Sequence, residues 1–167
     1  MEYSVSTLKT NTIQAATGST VSIASGQVFT APGHVIQVVQ NTSTSAHTGT
    51  ATDWASSGFS VTITPQSSSS KVLLNINAVL SASANVVQPR FTIFRGSTNL
   101  GDAGRGFGQT YTASGGLYQS MVSTTFLDSP NTTSATTYTV YLRTNTGTYV
   151  WGADSGTQTF VAQEIAQ

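Results

Sequence analysis

The residues of this sequence that could do chemistry are few and widely spaced. Its two histidines, His34 and His47, stand thirteen positions apart, and no second pair lies near them to complete a metal-binding set. Glycoside hydrolysis needs two carboxylates held at a fixed separation, but the acidic side chains are dispersed, at Asp53, Asp102, Asp128, Asp154 and Glu164. No Gly-x-Ser-x-Gly nucleophile elbow is present. The sequence therefore predicts no enzyme and no catalytic, cofactor or metal site, and we expect Asp102, Asp128 and Asp154 to bond backbone amides in turns.

Aromatic side chains offer a second kind of chemistry, the recognition of a sugar or of a protein surface. Trp54 follows Asp53, and Trp151 comes shortly before Asp154. A Trp beside an acid is a common sugar-binding pair, but it also fits a core or interface Trp whose N–H has a polar partner. The stretch 96–116 is the longest irregular one, and long loops often carry binding function. The candidate residues for recognition, or alternatively for a trimer interface, are Trp54, Arg105, Phe107, Tyr111, Tyr118 and Trp151.

Two further local patterns are weaker indications of a functional site. The segment Gly104-Arg105-Gly106-Phe107-Gly108 has some likeness to a phosphate-binding loop, but it lacks the full spacing and no helix is predicted after it. We therefore predict a loop between strands. Arg90 and Arg95 flank an apolar strand and leave it on opposite faces. One interpretation is that one of the two pairs with an acid across a subunit boundary, and the alternative is a solvated charge at a sheet edge.

The composition excludes several classes of function. Charged residues make up only 7% of the chain, and six basic residues balance six acidic ones, so no basic patch for nucleic acid is predicted. Ser and Thr supply roughly three residues in ten, far above ordinary usage. There is no cysteine, hence no disulfide framework. The first residues do not resemble a secretory signal, and no apolar stretch approaches the ~20 residues that span a bilayer, so we expect synthesis in a cytoplasm without membrane insertion.

Most of the chain alternates apolar and polar residues, which is the period of a half-buried β-strand. Residues 71–80 are the clearest case, with Leu73 and Val79 as apolar exceptions on the polar face. Further strands are predicted at 35–40, 59–64, 90–95, 117–127, 137–143 and 159–165, with turns at 65–70, 96–104, 128–134 and 145–147. Many short strands separated by Gly, Pro, Asn and Ser predict an all-β sandwich or barrel over residues 34–167.

Residues 1–33 differ from the rest, because they are small, polar and almost uncharged. Their isolated apolar residues are Leu8, Ile13, Val21, Ile23, Val28 and Phe29. A loose tail is one interpretation. We favour an extended attachment arm that lies on a partner and adds strands to it; about 33 extended residues reach roughly 100 Å.

Short motifs along nearly the whole chain resemble virion proteins of tailed phages that infect marine and freshwater bacteria, cyanobacteria especially. The motifs are 7–14 (Thr-Leu-Lys-Thr-Asn-Thr-Ile-Gln), 18–23, 63–72, 126–130, 134–138 and 164–167. The resemblance implies a trimeric jelly-roll head and a location on the particle, and it supplies no catalytic residue. Tail-fibre proteins of this group have a long shaft before the head, whereas only about 33 residues precede it here.

These observations lead to one leading hypothesis and one alternative. The leading hypothesis is a homotrimeric β-sandwich, docked by its arm on the major capsid protein as a capsid decoration (cement) protein or short head appendage. The alternative is a tail-fibre adhesin, attached to tail or appendage proteins, that recognises a host surface glycan. Copy number per particle separates the two.

Overall fold

The computed structural model describes residues 17, 31–83, 87–112, 116–153 and 156–167. Within these ranges the chain forms strands and no α-helix, which confirms the predicted all-β class. The strands are β1 Val35–Ser43, β2 His47–Gly49, β3 Ala55–Ile63, β4 Lys71–Ser83, β5 Arg90–Arg95, β6 Thr98–Asn99, β7 Gly108–Gln109, β8 Leu117–Asp128, β9 Thr136–Arg143, β10 Tyr149–Trp151 and β11 Gln158–Ile165.

The strands pair as a set of nested antiparallel hairpins. β1 pairs with β11, β3 with β9, β4 with β8 and β5 with β7. Successive pairs fall alternately into a first sheet (β1, β11, β4 and β8, with β10 and β2) and a second sheet (β3, β9, β5, β6 and β7). A long hairpin wound in this way into two packed sheets is a jelly roll.

β4 is the central strand of the first sheet. One of its edges pairs with β8 over its whole length. Its other edge is shared, because β11 pairs with residues 71–77 and β10 with residues 80–82. β1 and β2 continue the sheet beyond β11 and β10 respectively.

The core lies between the two sheets and follows from the alternation in the sequence. In β4, the predicted inward residues Val72, Leu74, Ile76 and Leu80 are fully buried, and β9 contributes a second such row. Burying a side chain of this size stabilises the fold by about 1.5–3 kcal/mol. The largest buried apolar side chains are Trp151, Tyr138, Tyr149, Phe160, Ile63, Leu74, Ile76, Leu80, Ile93 and Leu142.

The seven predicted strands are all confirmed, with ends that move by a few residues. The short strands β2, β6, β7 and β10 were not predicted, because two or three residues show no measurable period. Two of them, β6 and β7, lie in the stretch 96–116, which is therefore more regular than expected. The turn predicted to start at Asp128 begins one residue later, since Asp128 ends β8.

The solvent side of the first sheet, which we call the outer face, carries apolar side chains. One row across it runs Val38, Gln163, Leu73 and Leu127. Val38, Met121 and Leu127 expose 56%, 76% and 47% of their surface. Leu73 and Val79, the apolar exceptions noted in the sequence, belong to this face. Its margin is β8, which among the described residues pairs only with β4.

The predicted attachment arm lies almost entirely outside the described residues. This holds for its apolar residues Leu8, Ile13, Val21, Ile23, Val28 and Phe29, so its role stays a prediction. Its last residues form a turn against β11, in which the Gly33 N–H donates to the Ala166 carbonyl (2.9 Å) and the Ala166 N–H to the His34 carbonyl (2.9 Å).

Candidate functional site

Both neighbouring strands at one border of the first sheet are interrupted at the same level. β1 ends at Ser43, opposite Gln158, and β2 begins at His47, opposite Trp151. Residues 44–46 separate β1 from β2, and residues 152–157 separate β10 from β11. Because the two interruptions are aligned, the sheet opens there toward the space between the sheets.

The second sheet is irregular at the facing position. The pairing of β3 with β9 shifts register between Ser56 and Ser60, which marks a β-bulge. Gly58 has a φ of 76° within it, a value that residues with a Cβ adopt only with strain. The Ser57 hydroxyl holds the bulge by donating to the Val140 carbonyl (2.8 Å). Bulges of this kind are common beside functional sites, because they redirect side chains.

Between these two irregularities lies a cleft of about 380 Å³, which we call the polar cleft. Its volume falls in the range of small-molecule sites, roughly 300–1,000 Å³. Ser, Thr and Asn dominate its wall, with aromatic rings at its base. The residues that line it are Asn41, Thr42, Ser43, Ser45, Ala46, His47, Ser57, Gly58, Phe59, Trp151 and Gln158.

Two buried side chains of the polar cleft carry polar atoms without a hydrogen-bond partner in the described part of the chain. They are Trp151 Nε1, a donor, and Gln158 Oε1, an acceptor. Trp151 and Gln158 are 0% and 1% exposed. The orientation of the Gln158 amide is fixed, because its Nε2 donates to the Ser45 carbonyl (2.6 Å). An unpaired buried polar group costs about 1–3 kcal/mol, and both atoms are shielded from solvent.

Among the described residues, no Asp, Glu, Lys or Arg lines the polar cleft, and His47 stacks on Tyr149 with ring centroids 6.2 Å apart. Two of its three serine hydroxyls bond to the backbone, since Ser57 donates to the Val140 carbonyl and Ser43 accepts from the Ser45 N–H (3.0 Å). The arrangement therefore has no activated nucleophile and no charge to offer. It can bind an uncharged molecule that both donates and accepts hydrogen bonds.

The other end of β4 differs from the polar cleft, because charged groups are buried there. Two carboxylates flank Val72, one on each neighbouring strand. Both carboxylate oxygens of Asp128 accept hydrogen bonds from Arg95 Nη1 (2.8 and 2.7 Å). The carboxylate also accepts a hydrogen bond from the Tyr138 hydroxyl (2.7 Å). Burial and the bond to this carboxylate raise the pKa of Tyr138 well above its usual range. Asp128 thus joins β8 of the first sheet to β5 and β9 of the second. We call this region the carboxylate end.

Glu164 is the second carboxylate of the carboxylate end and is fully buried. It accepts from Gln37 Nε2 (2.6 Å) and from the Gln66 N–H (2.8 Å). Burial disfavours its charged form, but these bonds outweigh burial and hold the pKa of Glu164 below its usual range. Since both carboxylates are committed to internal partners, neither is aimed at a substrate.

The predicted turn role of the acids is correct at one position and wrong at another. Asp102 accepts from the Gly104 and Arg105 N–H groups (2.9 and 2.7 Å), which lower its pKa. It closes a tight turn in the segment that had some likeness to a phosphate loop. Asp128 is instead a buried link between sheets, and Asp154 lies outside the described residues. Arg95 pairs with Asp128 in its own chain, so neither environment expected for it is found.

The candidate recognition residues do not form one group. The structure corrects the prediction for Trp151. This residue is fully buried and packs on Phe91 (5.7 Å between ring centroids), so its side chain cannot contact a neighbouring subunit. Phe107 is half-buried and contacts Phe126. Trp54 donates to the Ala103 carbonyl (2.8 Å) and lies under the Arg143 guanidinium. Exposed positions are held by Arg105, Tyr111 and Tyr118.

The polar cleft was missed in the sequence, apart from Trp151. Its residues come from positions 41–47, 57–59, 151 and 158, and no short motif links them. Elsewhere in the described ranges, no three His, Asp or Glu side chains converge as a metal would need. No helix long and apolar enough to cross a membrane occurs in that part of the chain.

No protein-family model matches the sequence, and no curated protein is significantly similar to it. Similar solved structures include a viral particle of infectious bursal disease virus (TM-score 0.42, 12% identity, 88% of this chain and 39% of that chain). They also include a mutant VP2 protein of that virus in derived T=1 particles (TM-score 0.42, 13% identity, 88% and 40%). The chain spans about two fifths of those viral chains. With TM-scores below 0.5, this likeness supports no inference about function.

Proposed function

We propose that this chain is a non-enzymatic structural protein of a phage virion, a homotrimeric jelly roll that residues 1–33 attach to the particle. Its most fitting role is a capsid decoration (cement) protein or a short head appendage. The short sequence motifs support a location on the virion. The outer face of the first sheet is the observation that supports assembly into a trimer.

The outer face has the chemistry of a surface that packs against protein. Met121, Leu117, Val38 and Leu127 expose between 47% and 76% of their surface, three of them on β8 and Val38 on β1 at the opposite side of the sheet. Large apolar side chains that are exposed together on one face of a sheet are typical of sites of association. The edge of β8, which pairs only with β4 among the described strands, lies at the same border, and a strand edge can pair with a partner chain.

Closed cyclic symmetry is the usual way to bury such a surface, because each copy then covers the patch of the next. Among the described strands of the first sheet, Lys71 is the charged residue on the outer side, at one end. Contacts made without charge depend little on salt. Three linked copies attached by three arms bind a shell with avidity that one copy lacks.

The oligomeric state tests this proposal directly. We expect the full chain to have the mass of three copies by light scattering, and a Met121→Lys/Leu127→Lys double variant to be a folded monomer by the same measurement and by circular dichroism. The matched control is Thr137→Lys, which places a lysine on the exposed side of the second sheet and leaves the trimer intact. A wild-type monomer at micromolar concentration contradicts the proposal.

The second candidate function is a tail-fibre adhesin, favoured by the polar cleft and by exposed Tyr111 and Tyr118. Quantitative gels of purified particles separate the two. A copy number that matches the sites of the capsid lattice supports decoration, whereas the few copies of a tail component support the adhesin.

A further inference from the structure

We propose that the edge of β8 is a docking site for a strand formed by residues 19–25 of the same chain, which lie outside the described residues. In the docked state this segment extends the first sheet beyond β8, and Val21 and Ile23 cover apolar side chains at that border. The inference concerns how one chain closes its own fold, and it requires neither the trimer nor attachment to a particle.

The first step of the argument is a comparison of the sheet edges. A long strand edge presents backbone groups that can pair with other chains, and folded proteins protect such edges with short strands, bulges, prolines or charges. Among the described strands, the edge strands β2, β6 and β7 have only three, two and two residues. The edge strands β1 and β3 are longer, and each contains a register shift. Each of these five edges therefore has one of the usual protections.

The strand β8 has none of them. All of its 12 residues pair with β4 in one uninterrupted register, from Leu117 to Asp128. The strand contains no proline, and its one charged residue, Asp128, is the last and is buried. In the described part of the chain, no strand pairs with its other edge. An edge of this length and composition is a template for strand addition, so we expect the folded protein to cover it.

The second step is the packing beside this edge. Val122 and Phe126, on the inward side of β8, are only partly buried, and so is Phe107, whose ring packs on Phe126 with centroids 5.1 Å apart. The inward side chains of β4 are buried, because that strand has neighbours on both sides. One more strand beside β8 would place apolar side chains next to Val122 and Phe126 and complete the core at this border.

The third step identifies the occupant. Residues 19–25 read Ser-Thr-Val-Ser-Ile-Ala-Ser, and from Thr20 to Ile23 hydroxyl and apolar side chains alternate, which is the pattern of a half-buried strand. Val21 and Ile23 share one face of such a strand, and that face matches the partly buried side chains of β8. The segment carries no charge, and its hydroxyl and β-branched side chains form favourable cross-strand pairs with the Ser and Thr residues of β8.

The fourth step is the reach of the arm. The arm joins the described fold at Gly33, whose N–H bonds the carbonyl of Ala166 just after β11. β8 ends at the same end of the sheet, at Asp128. From β11 past β4 and β8 to the next strand position is three strand spacings, or about 14 Å. Residues 26–30 span about 17 Å when extended, so the arm of one chain reaches the edge of its own β8.

The docked strand is compatible with the structural role proposed above. A strand added at an edge lies in the plane of the sheet, so the outer face remains available for the trimer. Residues 1–18, which include Leu8 and Ile13, remain available for attachment to a particle.

Hydrogen exchange of the β8 amides in the full chain tests whether the edge is covered. Alternate N–H groups of a strand point toward one neighbour and away from it, so the amides that bond β4 serve as internal references. We expect the other amides of 123–127 to exchange slowly in the wild type and at least about tenfold faster in a Val21→Asp/Ile23→Asp variant. The control Leu8→Asp/Ile13→Asp places the same charges outside the docked segment and keeps the wild-type rates. If these amides exchange as fast in the wild type as in the Val21→Asp/Ile23→Asp variant, the proposal is wrong.

Cross-linking tests whether the docked segment belongs to the same chain. The sequence has no cysteine, so a short bismaleimide links only the two thiols of an Ile23→Cys/Thr124→Cys variant, whose second thiol lies on the inward side of β8. We expect a single chain with an internal link, identified by mass spectrometry of its peptides. In the control Ile23→Cys/Thr137→Cys, the second thiol lies on the exposed side of the second sheet, and we expect much less of this product. Products that join two chains, or equal yields from the two variants, contradict the proposal.

Discussion

The polar cleft and the carboxylate end lie along the same strand, β4, about 20 Å apart, and they treat buried polar atoms in opposite ways. At the carboxylate end, Asp128 and Glu164 carry charge and every described partner is internal. In the polar cleft, Trp151 and Gln158 carry no charge, and each keeps one buried atom unpaired.

The difference follows from the cost of burying a charge compared with the cost of burying a neutral polar group. A buried charge is tolerated only when its partners are in place, so the carboxylate end ties loops and sheets together and leaves nothing for a ligand. A neutral donor or acceptor costs less to leave unpaired, so the fold tolerates the two unpaired atoms beside the cleft. Substitutions in the two regions are therefore expected to change different properties of the protein.

The largest expected effect is on the carboxylate end. Asp128→Ala leaves the Arg95 guanidinium and the buried Tyr138 hydroxyl without their common acceptor, and we expect a loss of about 3 kcal/mol in the free energy of unfolding, measured in urea. Asp53→Ala, at an exposed position, is the control and changes stability by about 0.5 kcal/mol or less. Equal stabilities of the two variants would refute the linking role of Asp128.

The next prediction compares the effect of substitution by methionine in the two regions. Glu164→Met removes the acceptor of the Gln66 N–H and one of the two acceptors of Gln37 Nε2, which keeps its bond to the Thr64 carbonyl, and we expect a cost of about 2 kcal/mol. Gln158→Met loses the bond to Ser45 but also removes an unpaired acceptor, so it is expected to cost about 1 kcal/mol or less. Thermal unfolding of both variants provides the measurement, and a larger loss at Gln158 would reverse the interpretation of the cleft.

A smaller effect is expected from the bulge that faces the cleft. Gly58→Ala adds a methyl group into open space, but at a φ of 76°, so it strains the backbone by about 1 kcal/mol. Gly104→Ala is the comparison, since its φ is not in the positive range and the nearest atom to an added Cβ is 3.6 Å away. Similar unfolding midpoints for the two variants would show that the bulge is not held in this conformation.

The smallest effect at neutral pH concerns the titration of Glu164. Its pKa is lowered in the folded chain from the ordinary value of 4.5, so its charged form stabilises the fold above that pH. This contribution is lost as the pH falls below 4.5 and through the lowered pKa, by about 1.4 kcal/mol for each unit of lowering. Glu164→Gln removes the titration, so its unfolding free energy falls less steeply with acid than that of the wild type. Parallel acid profiles contradict the assignment.

The sequence predicted much of the fold and little of the candidate site. The alternation in residues 71–80 fixed which side chains of β4 are buried, because strand geometry sends neighbours to opposite faces wherever the strand is placed. The cleft had no such local signal. Its Gln158 bonds Ser45 across 113 positions, and the aligned interruptions in β1–β2 and β10–β11 are visible only once those strands pair.

Trp151 and Arg95 show the same limit at single residues. Trp151 stands in a three-residue strand with no measurable period, so its burial depended on β10 pairing with β4. Arg95 on β5 bonds Asp128 on β8, which lies 33 positions away in the sequence. The two residues meet only because the sheets that contain these strands pack against each other. By itself, then, the sequence determined an uncharged, hydroxyl-rich set of half-buried strands, since period and composition are local properties. The tertiary structure decided which polar atoms meet and which stay free, since both depend on strand pairing between residues far apart in the chain.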